Sequence, residues 1–234
     1  MKKTILCMLA ILLAFAPVSA FASTIEVLAG AALEGNFGMR LNHDTTSVAY
    51  VEDQTPAGEP IYRAEFLFRP TAFNTNNTNV RQTIFRTISL NPGPGQFGCS
   101  QAAFVTHADI FIYWIVNGQL PFATAFQFGR GCFPAAVGNL VRLDDQAGGV
   151  DTNGDGAVRF CFQWEEGASG LVRFGVTDDV NACTAATFQE INRDTAGMTV
   201  ETARLGNAQI NGFGAGETAT LDYDSFASFR ATAN

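Results

Sequence analysis

Apolar and polar positions alternate with a period of two along much of the chain. In YRAEFLF, residues 62–68, Tyr62, Ala64, Phe66 and Phe68 fall on one face and Arg63, Glu65 and Leu67 on the other. That alternation predicts a half-buried strand. VRFCFQW at 158–164 repeats it, with Phe160, Phe162 and Trp164 set against Arg159, Cys161 and Gln163. EEGASG then turns the chain, and LVRFGV at 171–176 returns it as a hairpin. RQTIFRTISL at 81–90 is β-branched and aromatic, and DIFIYWIV at 109–116 is apolar on both faces, as a central strand would be. Asn117-Gly118 is a hairpin signal, and FATAFQF at 122–128 follows it. MTVETARLG and ATLDYDSFASFRA read as late strands, while TAATFQEI at 184–191 predicts a short turn of helix.

Long helical patterns are missing, and breakers cluster at 74–79, 91–95, 147–156 and 211–217. Many short strands separated by turn signals predict an all-β, antiparallel jelly-roll β-sandwich. With no internal repeat and no Pro- or Ser-rich linker, residues 23–234 are expected to form one domain.

The first 22 residues are set apart. Lys2 and Lys3 precede an almost wholly apolar run over residues 5–16, and Ala20-Phe21-Ala22 supplies small residues for cleavage. The pattern predicts a secretory signal peptide over residues 1–22, cut after Ala22 in preference to Ala20. Its apolar run falls short of the roughly 20 residues that span a bilayer. No second run of spanning length occurs, so the expected location is extracellular or periplasmic, with no membrane span in the mature chain.

Removal of this segment changes the charge. Lys2 and Lys3 are the only lysines, so the formal charge moves from -8 to -10. Twelve arginines then face 22 acids. Such a surface repels phosphate backbones, which argues against a nucleic-acid partner. Cys7 leaves with the leader, and Cys99, Cys132, Cys161 and Cys183 remain. An even count in an exported chain predicts two disulfides. Of the three pairings, Cys99–Cys132 and Cys161–Cys183 join sequence neighbours, each worth about 3 kcal/mol in the chain-entropy model. The absence of any CxxC spacing argues against zinc and against a redox pair.

Three stretches carry a family resemblance: AALEGNFGMRLN at 31–42, AYVEDQTPAGEPIYRAEFLFRP at 49–70, and the closing LDYDSFASFR at 221–230. Together they resemble exported bacterial proteins of the concanavalin A-like, laminin-G-like jelly-roll group. The resemblance implies two curved antiparallel sheets packed face to face. Members of the group often bind glycans, some bind calcium at a sheet rim, and others are glycosidases or polysaccharide lyases; fold alone confers none of these.

Catalytic signatures are thin. The paired acids of the group's glucanases, E-x-D-x-E on one strand, do not occur. Glu165 and Glu166 are adjacent and so face opposite ways, whereas Asp222 and Asp224 share a face and form the best remaining carboxylate pair. His43 and His107 are the only histidines, and no G-x-S-x-G elbow offers a nucleophile. His107 beside Asp109 reads as a polar pair at a strand start, and His43 with Asp44 is a weak metal pair.

DTNGDGAVRF at 151–160 starts like a calcium loop: Asp151, Asn153 and Asp155, then Gly156. Position 12 of an EF-hand would be Phe162 instead of Glu, and a strand follows, so an EF-hand is excluded. Two readings stay open. One is a Gly-rich turn alone. The other is that turn bracing a rim calcium through Asp151, Asn153, Asp155 and the carbonyl of Ala157.

Of the 21 phenylalanines, all but Phe15 and Phe21 lie in the mature chain, enough for a ring-rich core. Phe111 and Tyr113 share one face of an apolar strand and are the candidates for stacking on sugar. The sequence thus predicts a secreted, non-catalytic module binding a glycan or cell-surface polymer. The alternatives are a polysaccharide-active hydrolase or lyase of the same fold, and a structural component of an extracellular matrix or surface layer.

Overall fold

The computed structural model describes residues 23–44, 47–54, 58–74, 80–90, 107–116, 124–133, 137–142, 155–187, 189–193, 195–207 and 217–231; for 73–74, 80–82, 90, 107–116, 124–133, 137–142, 186, 189–193 and 231 it describes the backbone alone. The strands are β1 (Thr24–Leu28), β2 (Gly38–His43), β3 (Ala49–Asp53), β4 (Ile61–Asn74), β5 (Val80–Leu90), β6 (His107–Val116), β7 (Thr124–Phe133), β8 (Val137–Arg142), β9 (Val158–Glu165), β10 (Gly170–Asp178), β11 (Gln189–Arg193), β12 (Thr202–Asn207) and β13 (Thr218–Ala231). They form a jelly-roll sandwich of two antiparallel sheets. One has seven strands in the order β1-β2-β13-β4-β9-β10-β11, the other six in the order β3-β12-β5-β6-β7-β8.

Residues facing between the sheets are those the alternation selects. Tyr62, Ala64, Phe66 and Phe68 of β4 are buried beside Phe160, Phe162 and Trp164 of β9, Val172 and Phe174 of β10, and Leu221 and Tyr223 of β13. Phe85 of β5 and Leu205 of β12 meet them from the other sheet. The rings interlock across strands and between sheets. Phe66 stacks on Phe160 with centroids 5.2 Å apart, Phe68 meets Tyr223 edge-on at 5.2 Å, and Phe85 lies 5.5 Å from Phe66 and 5.6 Å from Phe162. Offset and edge contacts of this kind add to the area the rings bury. The Trp164 indole N–H donates to the Met198 carbonyl at 3.0 Å, so its one polar atom is satisfied in the core.

The predicted strands all occur, most with longer bounds, but MTVETARLG narrows to β12, which starts only at Thr202. AALEGNFGMRLN starts on the last residue of a 3-10 turn, Ala29–Ala31, and holds most of β2, but β2 is preceded by the short edge strand β1. TAATFQEI holds the predicted turn, as a 3-10 segment Ala185–Thr187, and runs on into a strand, β11. Leu67 departs from its expected role: it lies on the outer face yet is only 1 % exposed.

Candidate functional site

Strand register assembles the outer face of the seven-stranded sheet row by row. Directly opposed residues share a face. One row runs Phe229–Arg63–Gln163–Arg173–Glu190 across β13, β4, β9, β10 and β11. The next runs Ala227–Glu65–Cys161–Gly175. Beyond it lie Asp224–Leu67–Arg159–Thr177, and finally Glu26–Arg40–Asp222–Arg69.

The last row is closed by its own charges. Asp222 is 0 % exposed and accepts four hydrogen bonds: from Arg40 Nε to Oδ1 at 2.7 Å, and to Oδ2 from Arg40 at 2.8 Å, Thr71 Oγ1 at 2.8 Å and Arg69 at 3.2 Å. Burial alone would push its carboxyl up, but the hydrogen bonds from Arg40, Thr71 and Arg69 outweigh burial and hold it below the usual carboxylate range. Asp224 is committed too. Its Oδ2 accepts the backbone N–H groups of Leu33 and Glu34, both at 2.8 Å, and its Oδ1 that of Ser225 at 2.7 Å. The Asp222–Asp224 pair is therefore structural in this geometry.

Asp224 fastens the 29–37 segment onto the sheet beside a bulge in β13, where Ser225 takes φ 49° and donates to Glu34 Oε2 at 2.6 Å. Glu34 also stands 3.9 Å from Arg159 on β9. Since β4 lies between β13 and β9, this pair crosses above Leu67, which accounts for its burial. On the far side the 179–187 segment is tied down by the Cys161–Cys183 disulfide and by Arg159, which donates to the Asp179 carbonyl at 3.0 Å. A Cβ on Gly175 would come within 2.2 Å of the Thr187 carbonyl oxygen, so glycine lets this segment rest on β10.

What stays open is the start of the first row, where Phe229 and Arg63 are exposed and Gln163 lies buried beside them. Arg63, Glu65, Cys161, Gln163, Cys183 and Phe229 line a cleft of about 310 Å³, with Phe229 58 % exposed. Gln163 Nε2 donates to Glu165. Glu65 lies 3.9 Å from Arg159. No carboxylate among the described residues pairs with Arg63. The cleft therefore offers a cation, an amide, a carboxylate and an aromatic face within one sheet surface. A second cleft, of about 280 Å³ at the β13 bulge, is apolar, lined by Val27, Phe37, Met39, Val51, Leu205 and Phe226 among others. Its carboxylates are occupied: Asp53 by Arg230, and Asp224 by backbone N–H groups. It is poorly matched to a polyhydroxylated chain.

The candidate residues from the sequence are distributed differently. Phe111 stands opposite Arg86 and Gly129, and Tyr113 opposite Thr83 and Gln127, all in the six-stranded sheet. Their side chains lie outside the described residues. Asp151 and Asn153 also lie outside them. At Asp155 the turn is seen directly: the Ala157 N–H donates to Asp155 Oδ1 at 2.8 Å and Gly156 has φ 79°, a left-handed conformation that favours glycine. Among the described residues no group of three or more His, Cys, Asp or Glu is placed to hold a metal ion. Cys161–Cys183 is formed as expected. Cys132 lies on β7 opposite Ala108, with the Cys99 pairing outside the described residues. His43 is buried, with Asn207 Nδ2 2.7 Å from its Nδ1, and burial lowers its imidazole to about 4. Alternation alone placed Arg63 and Gln163 outward; nothing local in the sequence signalled that Phe229 would join them.

No family model matches the sequence, and no curated protein does. Solved structures do. The endo-beta-1,4-glucuronan lyase of the fungus Trichoderma reesei superposes with a TM-score of 0.56 at 12 % identity, covering 91 % of this chain and 89 % of that one. The alginate lyase Aly36B gives 0.52 at 9 % identity, covering 86 % and 84 %. The alginate lyase vAL-1 from Chlorella virus gives 0.50 at 10 % identity, covering 89 % of each. At these identities the likeness is one of fold, the jelly-roll sandwich. Among the described residues no helix is long and apolar enough to cross a membrane.

Proposed function

We propose that this protein is exported and binds a carboxylate-bearing glycan chain across the outer face of the seven-stranded sheet. The observation that carries the reading is the row Phe229–Arg63–Gln163–Arg173. An exposed ring stands in register with a guanidinium that no carboxylate among the described residues holds, and an amide and a second arginine follow on the next strands. The ring would cover the apolar face of a pyranose. Arg63 would take a sugar carboxylate in the bidentate geometry that guanidinium favours. Strands lie about 4.8 Å apart, so Arg63 and Arg173 stand about 10 Å apart along the row. That spacing suits an extended chain lying across the strands better than a single sugar. On a chain of net charge -10 without its leader, this face sets Arg63 and Arg173 against Glu65 and Glu190, a local balance of charge in which Arg63 is the guanidinium that no described carboxylate holds. That guanidinium is the feature an anionic polymer needs.

The fold likeness favours a second reading, a lyase acting on such a polymer. Elimination requires the sugar carboxylate to be neutralised, a base to remove the adjacent proton, and the glycosidic oxygen to leave. Arg63 and Gln163 supply the first requirement. The strand residues of this face present neither His nor Tyr outward, since His43, Tyr62 and Tyr223 point into the core, leaving Glu65 as the nearest base.

Affinity electrophoresis against uronate-bearing and neutral polysaccharides tests the proposal. Retardation by the acidic polymers alone is expected, lost in Arg63→Ala. Equal retardation by neutral polymers, or none by any, overturns it. Ultraviolet-absorbing unsaturated ends released from the bound polymer, and abolished in Glu65→Gln, would decide for the lyase.

A further inference from the structure

The cluster around His43 takes no part in the glycan cleft. Ser23 lies at its centre, immediately after the expected cleavage point. The Ser23 nitrogen donates to Ser47 Oγ at 2.8 Å. Its hydroxyl donates to the Ser47 carbonyl at 2.8 Å and accepts from the Asp44 N–H at 3.0 Å. Asp44 Oδ1 stands 3.3 Å from Ser23 Oγ and 3.4 Å from Ser47 Oγ, and accepts the Ser47 N–H at 3.2 Å. His43 Nδ1 closes the cage at 3.2 Å from Ser23 Oγ and is itself held by Asn207 of β12. Asp44 is buried. The Ser23 nitrogen is thus one hydroxyl away from a shielded carboxylate.

We propose that this cage is a receptor for the chain's own processed amino terminus: hydrolysis of the Ala22–Ser23 bond creates an ammonium that the Asp44 carboxylate and Ser47 then hold. The step is a simple hydrolysis by a signal peptidase. Water adds across the amide, Ala22 departs with a new carboxylate, and Ser23 keeps its nitrogen as –NH3+. The backbone amide of an uncut chain offers one hydrogen, already spent on Ser47. The ammonium offers three and adds a charge opposite in sign to Asp44. A neutral His43 does not oppose that charge, in keeping with the burial that lowers its imidazole. The cage matters because β1 is an edge strand pairing with β2 alone and is mostly exposed along its length. Edge strands at chain ends fray unless something ties them down. Ser23 anchors β1 at its first residue to the segment after β2, and through His43 and Asn207 to the opposite sheet.

The test starts from the full chain, expressed with its leader in an exporting host. Intact mass is expected to begin at Ser23; any other first residue overturns the proposal. With Lys2 and Lys3 removed, the terminal amine is the only primary amine in the mature chain. An amine-reactive ester therefore reads this group by itself. Labelling is expected to be several-fold slower in the folded protein than in urea, and equal rates overturn the proposal. A chain retaining Ala22 is expected to melt about 2–4 °C lower than the mature protein, the shift for roughly 1 kcal/mol at this size. In Asp44→Asn that difference should close. An undiminished difference would show that the carboxylate does not hold the ammonium. Should Asp44→Asn fail to fold, the labelling rates and the Ala22-retaining chain decide without it.

Discussion

Replacing Asp222 by Asn swaps a fully shielded carboxylate for an amide of nearly the same shape, so the change is one of charge and hydrogen bonding. Four donors converge on the two carboxylate oxygens, two from Arg40 and one each from Arg69 and Thr71. In the variant one oxygen becomes an NH2 group, which must meet either the Arg40 Nε–H or the Arg69–Thr71 pair of donors head-on. Removing one partner of a buried ion pair costs about 3–5 kcal/mol. The arginine side chains keep 23 % and 27 % of their surface, so water relieves part of the stranded charge. The lower end, about 3 kcal/mol, is therefore expected. For a chain of this size that is a fall in Tm of about 6–12 °C. Urea unfolding followed by the fluorescence of buried Trp164 measures it at neutral pH. Acid supplies an independent sign. The native state holds this carboxyl below its unfolded value, so its contribution is complete above the ordinary carboxylate range, near pH 4. It is lost as pH falls through the depressed native value. The gap between wild type and variant should accordingly narrow below about pH 4. A Tm within about 2 °C of wild type at neutral pH, or a gap independent of pH, would refute this account of Asp222 and its two arginines.

Gly175→Ala should lower stability by about 1–3 kcal/mol by forcing its Cβ against the Thr187 carbonyl. Faster amide exchange confined to 179–187 would locate the effect. Cys161→Ser with Cys183→Ser opens a loop of separation 22, and the chain-entropy model puts the loss at about 3 kcal/mol, readable as a urea midpoint shift. Phe229→Ala leaves an exposed site and should not move Tm. If a bound sugar covers about 50 Å² of the ring, affinity should fall about eightfold at roughly 25 cal/mol per Å², as titration calorimetry would show.

The sandwich was legible because its inward positions are aromatic and alternate. Phe66, Phe68, Phe160 and Phe162 announce both strand and face within a few residues. β11, QEINR, announces neither, being a polar edge strand. Leu67 illustrates a different limit. Its parity says outward, correctly, but burial depends on Glu34 reaching Arg159, a pairing of groups more than a hundred residues apart. The cleft shares that limit. Arg63 and Gln163 were legible as outward residues one at a time. Only the register of β4 against β9 and β13 sets them beside each other and beside Phe229. Cys161–Cys183 was legible because its partners are near in sequence.

The place of β13 constrains the order in which the molecule can be made. This strand lies between β2 and β4, pairing with both, although it is the last strand in the chain. Until residues 218–231 have been synthesised, β1 and β2 have nothing to join and the largest sheet is cut in two. A chain that leaves the ribosome amino end first therefore stays incomplete through almost its whole elongation. Such late, long-range closure is slow, and under the export proposed above, which threads a polypeptide unfolded through a channel, slowness would be an asset. The final strand acts as a latch, and the seven-stranded sheet is completed only after residues 218–231 have been made.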